Sequence, residues 1–147
     1  MMTSRRTRAA ALALTLGFVG ASGTVLSSAA ESPGGLGFVA VDQCRLADTR
    51  PAPDGVGDRS GALGAGETVS FEVWGEHGNC VIPDGVSAVA ANVSVVEPSG
   101  SSFLTVWPAG EVRPLAANIN WVAGQGPTSN FVTTALSAAG AMSVFNL

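Results

Sequence analysis

The residues able to carry chemistry in this 147-residue chain are few. Its one histidine, His77, is the only side chain suited by its ordinary pKa to act as general base near neutrality, the role a serine or cysteine nucleophile requires. It stands in Gly75-Glu76-His77-Gly78-Asn79, which reads as a solvated turn, and no G-x-S-x-G elbow occurs anywhere. The eleven Asp and Glu residues keep a glycosidase pair open, yet they fall mostly in turns. Asp54-Gly55-Val56-Gly57-Asp58 is rich in oxygen donors but lacks the regular spacing and bidentate Glu of a calcium loop, so it reads as a turn. Two cysteines and one histidine cannot complete a tetrahedral zinc site. Gly55, Gly57 and Gly61 do not form a dinucleotide fingerprint, which also needs a strand before it and a helix after it. The reading is therefore of a non-enzyme, with no catalytic residue, metal or cofactor assigned; a small secreted hydrolase using carboxylates is the distant alternative.

Binding chemistry is better represented. Trp74, Trp107 and Trp121 offer indole surfaces, and Asn92, Asn118, Asn120 and Asn130 lie in strand-like runs, where asparagine is depleted. An exposed indole beside amides would stack a sugar ring and direct hydrogen bonds to its hydroxyls. Alternation sets Trp74 opposite Val69, Phe71 and Val73, which leaves both a solvent-facing and a core-filling reading open, whereas Trp121, on the face of Ile119, and Trp107, between Val106 and Pro108, read as core. The candidate ligand residues are thus Trp74, Asn92, Asn118 and Asn120; the other reading of the asparagines is a cross-strand hydrogen-bonded row. Asp48-Thr49-Arg50 reads as a structural turn, with the Asp48 side chain capping it and Arg50 making a charge-assisted hydrogen bond.

These residues need strands to hold them. Period-two alternation runs through Glu67 to Trp74 and Val86 to Glu97, then Ser102 to Trp107 and Ala116 to Val122. Phe131 to Leu136 and Ala141 to Asn146 add two more, and Phe38 to Val41 is a short apolar run. Pro and Gly turn signals separate them at Pro51 to Gly66, Pro83 to Gly85, Pro98 to Gly100, Pro108 to Gly110 and Ala139-Gly140. Short strands at such spacing, with no helical period, predict an all-β fold, an antiparallel β-sandwich of jelly-roll or immunoglobulin-like topology.

Upstream, Arg5, Arg6 and Arg8 precede an uncharged apolar run from Ala9 to Ala21 and small residues at Ser28-Ala29-Ala30. That is the layout of a secretory signal over 1–30, with cleavage expected after Ala30 and Ala21 as the second choice. A Sec signal is expected, and the Arg5-Arg6 pair leaves the twin-arginine route open. The organisation is then a signal peptide at 1–30, a leader at 31–37 and one domain at 38–147. Past the signal, four arginines face eleven acids, a net charge of −7, and no further membrane span occurs. Nucleic acid is excluded as a partner, since no basic face exists to neutralise phosphates. Two cysteines in an exported chain read as a Cys44–Cys80 disulfide.

The motifs resemble a known group. Cys44-Arg45-Leu46-Ala47-Asp48-Thr49-Arg50, Cys80-Val81-Ile82-Pro83, Val89 to Pro98, Leu104 to Gly110 and Asn118-Ile119-Asn120-Trp121 occur in order, followed by Gly124-Gln125, Asn130 and Gly140 to Phe145. Together they resemble a module widespread in secreted and surface proteins of actinobacteria and other bacteria. The resemblance implies a β-sandwich without established activity, and both cysteines fall within its motifs. Such modules usually continue into a final strand that this chain lacks, which implies an unpaired edge and self-association through it. The expected role is an exported, non-catalytic module for envelope structure, adhesion or recognition, located in the medium or at the cell surface. A carbohydrate-binding module for cell-wall glycan is the alternative, and another envelope protein is a further candidate partner.

Overall fold

The computed structural model describes residues 37–147. The expected signal peptide, 1–30, and all but the last residue of the expected leader lie outside the described residues. Every described strand falls within the unit Val39–Leu147, and no helix occurs among the described residues, so the fold is all-β and antiparallel throughout. In chain order the strands are β1 (Thr68–Glu72), β2 (Gly75–His77), β3 (Cys80–Ile82), β4 (Ala88–Val95), β5 (Ser102–Pro108), β6 (Ile119–Trp121), β7 (Thr128–Ala135) and β8 (Ala141–Asn146). They form a four-stranded sheet in the order β1-β8-β5-β6, a hairpin β2-β3, and a two-stranded ribbon β4-β7.

Period-two alternation explains how the layers meet. Leu104 and Val106 of β5, Ile119 and Trp121 of β6, and Met142 and Val144 of β8 project from one face of the four-stranded sheet. Val132 of β7 joins them, with Val89, Val93 and Val95 of β4 packed at the margin. Val73, just after β1, is fully buried in the same cluster. Removing this apolar surface from water is the main term holding ribbon to sheet, at about 25 cal/mol per Å² buried.

The opposite face of the four-stranded sheet is also covered, by the segment 109–118 that links β5 to β6. Thr105 Oγ1 donates to Ala116 O at 2.6 Å, and Trp107 Nε1 donates to Glu111 O at 2.9 Å. Arg113 stacks its guanidinium 3.6 Å from the centroid of the Phe145 ring. Thr105, Trp107, Ser143 and Phe145 are therefore buried although they lie opposite the main core.

Several expectations shift. The run Phe38 to Val41 is not a strand; Phe38, Val39 and Val41 are exposed and find no pairing edge. The expected turn around His77 is the first arm of a hairpin, with His77 opposite Cys80. Gly78 makes that hairpin possible: its φ is +61°, and a Cβ there would strike the carbonyls of Arg45 and Leu46. The expected strand Ala116 to Val122 shrinks to β6, because 116–117 belong to the covering segment, while Phe131 to Leu136 grows at its start to Thr128. The last strand, β8, is hydrogen-bonded to β1 on one side and β5 on the other, so the unpaired edge does not lie there.

Candidate functional site

The Cys44 to Arg50 motif builds a corner. Cys44 and Cys80 are joined as a disulfide, which ties the chain before β1 to the start of β3. Next to it, Arg45 N donates to Asn79 Oδ1 and Asn79 N donates to Arg45 O. Asp48 gathers the rest: its carboxylate accepts from the backbone N of Arg50 at 3.0 Å, from Arg50 Nη2 at 2.7 Å and from Arg45 Nη1 at 2.6 Å. The Arg50 guanidinium holds the Asp48 carboxyl down at about 2. The Asp48 backbone pairs in both directions with Val56, and Thr49 O accepts from Gly61 N at 2.7 Å. All this bonding is internal, and it anchors the long loop after Arg50.

His77 lies beside that corner, in a cleft of about 240 Å³ along the outer edge of β1 that Asp58, Arg59, Ser70 and Glu72 also line. Its Nε2 is 3.5 Å from Glu72 Oε2. Ser70 Oγ shares a hydrogen bond with Ser143 Oγ at 3.0 Å, and Arg59 is paired with Glu67 at 2.9 Å. His77 and Glu72 thus approach without a hydrogen bond, and among the described residues no nucleophile is hydrogen-bonded to the imidazole. Among the described residues, no three His, Cys, Asp or Glu side chains converge as a metal site.

The three indoles are all committed. Trp74 Nε1 donates to Val86 O at 3.0 Å, and its ring lies directly on Gly140. Trp121 Nε1 donates to Gly100 O at 2.8 Å, and both Trp107 and Trp121 are buried. Trp74 is half-buried rather than held out in solvent. The candidate ligand asparagines Asn92, Asn118 and Asn120 do not gather either. Asn118 Oδ1 accepts from Val106 N at 2.8 Å, so its side chain continues the β5–β6 ladder where the backbone leaves it. Asn130 Nδ2 donates to Asn118 O at 2.6 Å. Asn120 is exposed on β6, on the sheet face opposite Ile119 and Trp121, whereas Asn92 stands on the outward face of the ribbon.

That outward face is an open surface with a regular pattern. In register, Asn92 faces Phe131, Ala90 faces Thr133 and Ser94 faces Ser129, whose hydroxyls share a 2.6 Å hydrogen bond. Phe131 is 66% exposed in the middle of an eight-residue strand. No ionisable residue occurs in 86–96 or 127–136, so the face is an aromatic ring among short amides and hydroxyls. Sequence reasoning singled out Asn92 but missed Phe131. Alternation places Phe131 and Val132 on opposite faces, yet each is followed on its own face by a threonine, so nothing local says which of them packs inward. No protein-family model, curated protein or solved structure matches the chain.

Proposed function

We propose that this chain is an exported, non-catalytic recognition module of the cell envelope, and that it binds a cell-wall glycan across the outward face of the β4–β7 ribbon. The observation that carries this reading is Phe131, two-thirds exposed beside Asn92 on a face without charge. An exposed aromatic ring among amides and hydroxyls offers an apolar platform, and sugar rings present the C–H surface that stacks on such a ring. Asn92, Thr133 and the paired Ser94 and Ser129 supply donors and acceptors for ring hydroxyls within the same plane. Export is supported by the basic and apolar pattern of the first thirty residues together with the Cys44–Cys80 bridge.

The test is binding of purified peptidoglycan and soluble polysaccharides, read by sedimentation with the insoluble glycan and by amide chemical-shift mapping. Phe131→Ala should weaken binding at least tenfold while leaving the unfolding midpoint almost unchanged, because little of the ring is buried. Tryptophan fluorescence should stay silent, since the three indoles are bonded within the protein. Binding by Phe131→Ala equal to that of the native chain, or shifts confined to the His77 cleft, would rule the reading out.

A further inference from the structure

The edges of the sheets are not equally protected. β6 is three residues long, and β1 is preceded by Glu67 and ends in Glu72, with Arg59 bound to Glu67 alongside. The outer edge of β7 lies toward β6, where Asn130 reaches Asn118. β4 has no such device. It is eight residues long, contains no proline or charge, and its outer edge makes no hydrogen bond among the described residues. Long uncharged edges are what proteins ordinarily blunt with Lys, Pro or a bulge, because their free N–H and C=O groups template another strand.

The ladder shows which groups are free. Leu136 N donates to Ser87 O, in register with Ala88↔Ala135, so odd-numbered residues of β4 exchange hydrogen bonds with β7. The backbone groups of Ala88, Ala90, Asn92 and Ser94 therefore point outward. At the start of the strand the outward Val86 carbonyl is already taken by the Trp74 indole, which bounds the free edge to 88–96. The centre of that stretch is Asn92.

We propose that β4 pairs antiparallel with β4 of a second copy of this chain, about a two-fold axis at Asn92. In that register Asn92 meets Asn92 of the partner copy, Ala90 meets Ser94 and Ala88 meets Val96 on the outward face. On the core face Val89 meets Val95 and Ala91 meets Val93. Polar groups thus face polar or small ones, and apolar groups face apolar ones, with no like charges opposed, which is what an isologous contact needs. A charged or proline-rich peptide would have no matching feature on this edge; a second β4 matches it residue by residue. The pair joins the two ribbons into one four-stranded sheet, β7-β4-β4-β7. Its outward face aligns Phe131, Asn92, Asn92 and Phe131 in one row, the rings about 14 Å apart across three strand spacings.

Sedimentation velocity over the micromolar to millimolar range tests this without any ligand. The native chain should sediment as a dimer at the upper end. Asn92→Lys and Asn92→Glu each set like charges directly opposite across the axis and should be monomers, while their equimolar mixture should recover the dimer. Asn92 is exposed, so far-UV circular dichroism of both variants should match the native chain. Phe131→Ala should dimerise normally, which separates failure of this inference from failure of the glycan reading. A native monomer throughout, including one whose β4 amides resist exchange because another segment covers them, overturns the proposal. So does a dimer indifferent to either charge, or a mixture that does not pair.

Discussion

Gly140→Ala is the substitution by which the role of Trp74 is best decided. Gly140 has φ +73°, and a Cβ there would fall among the indole atoms Cγ and Cδ2 of Trp74 and 2.6 Å from Cε3. The glycine is held in place, since its carbonyl accepts from Val73 N at 2.9 Å and its N donates to Ser137 O at 2.9 Å. The ring is held as well, by its bond to Val86 O. A left-handed backbone costs a residue with a Cβ about 1 kcal/mol, and overpacking a filled site adds about 1–3 kcal/mol. The expected loss is therefore about 2–4 kcal/mol, a large share of the 5–15 kcal/mol of a typical domain. Urea unfolding followed by circular dichroism measures it. In a Trp74→Ala background the clash is gone, and the same glycine change should cost only about 1 kcal/mol, leaving a coupling of about 1–3 kcal/mol. A loss below about 1 kcal/mol, or equal losses in both backgrounds, would show that the indole does not rest on Gly140. Trp74 would then return as a free stacking ring for a ligand.

Two further predictions concern the corner around Asp48. Reduction of Cys44–Cys80, or its replacement by alanines, should cost about 4 kcal/mol for a loop closed over a separation of 36, read as the difference in urea midpoints with and without reductant; a change within experimental error would mean that the corner holds without the bridge. Asp48 has its carboxyl lowered from 3.8 to about 2. The folded state thus binds the proton more weakly than the unfolded one, and the stabilisation is complete above pH 4 and is lost as pH falls through 2. It amounts to at most about 2 kcal/mol, because water still reaches the pair. Asp48→Asn should flatten the pH dependence of unfolding over that window, and an unaltered slope would refute the assignment.

Strand content, the turns and the pairing of the two cysteines were legible in the sequence, because each is a local or a counting property. Alternation marks a strand wherever it lies, Pro and Gly mark turns by their own φ preferences, and two cysteines allow one bridge. The core indole Trp121 was legible for the same reason, since it shares its face with Ile119. What lay beyond the sequence was which face each strand turns inward and what covers the other. Alternation left Trp74 open between solvent and core; its strand ends at Glu72, and the ring folds onto a turn sixty-six residues away in sequence. Trp107 reads as core beside Val106 and Pro108, and it is buried, but what covers it and Thr105 is the segment 109–118, whose crossing of the sheet no period reveals. Asn118 reads either as a sugar ligand or as a structural hydrogen bond between strands, and the backbone it completes decides for the second. Phe131 and Val132 are equivalent by pattern and opposite by position: one meets the core and the other meets solvent, because only one side of the ribbon has a sheet to lie on. Period two divides a strand into two faces; burial chooses between them, and burial belongs to the partner layer.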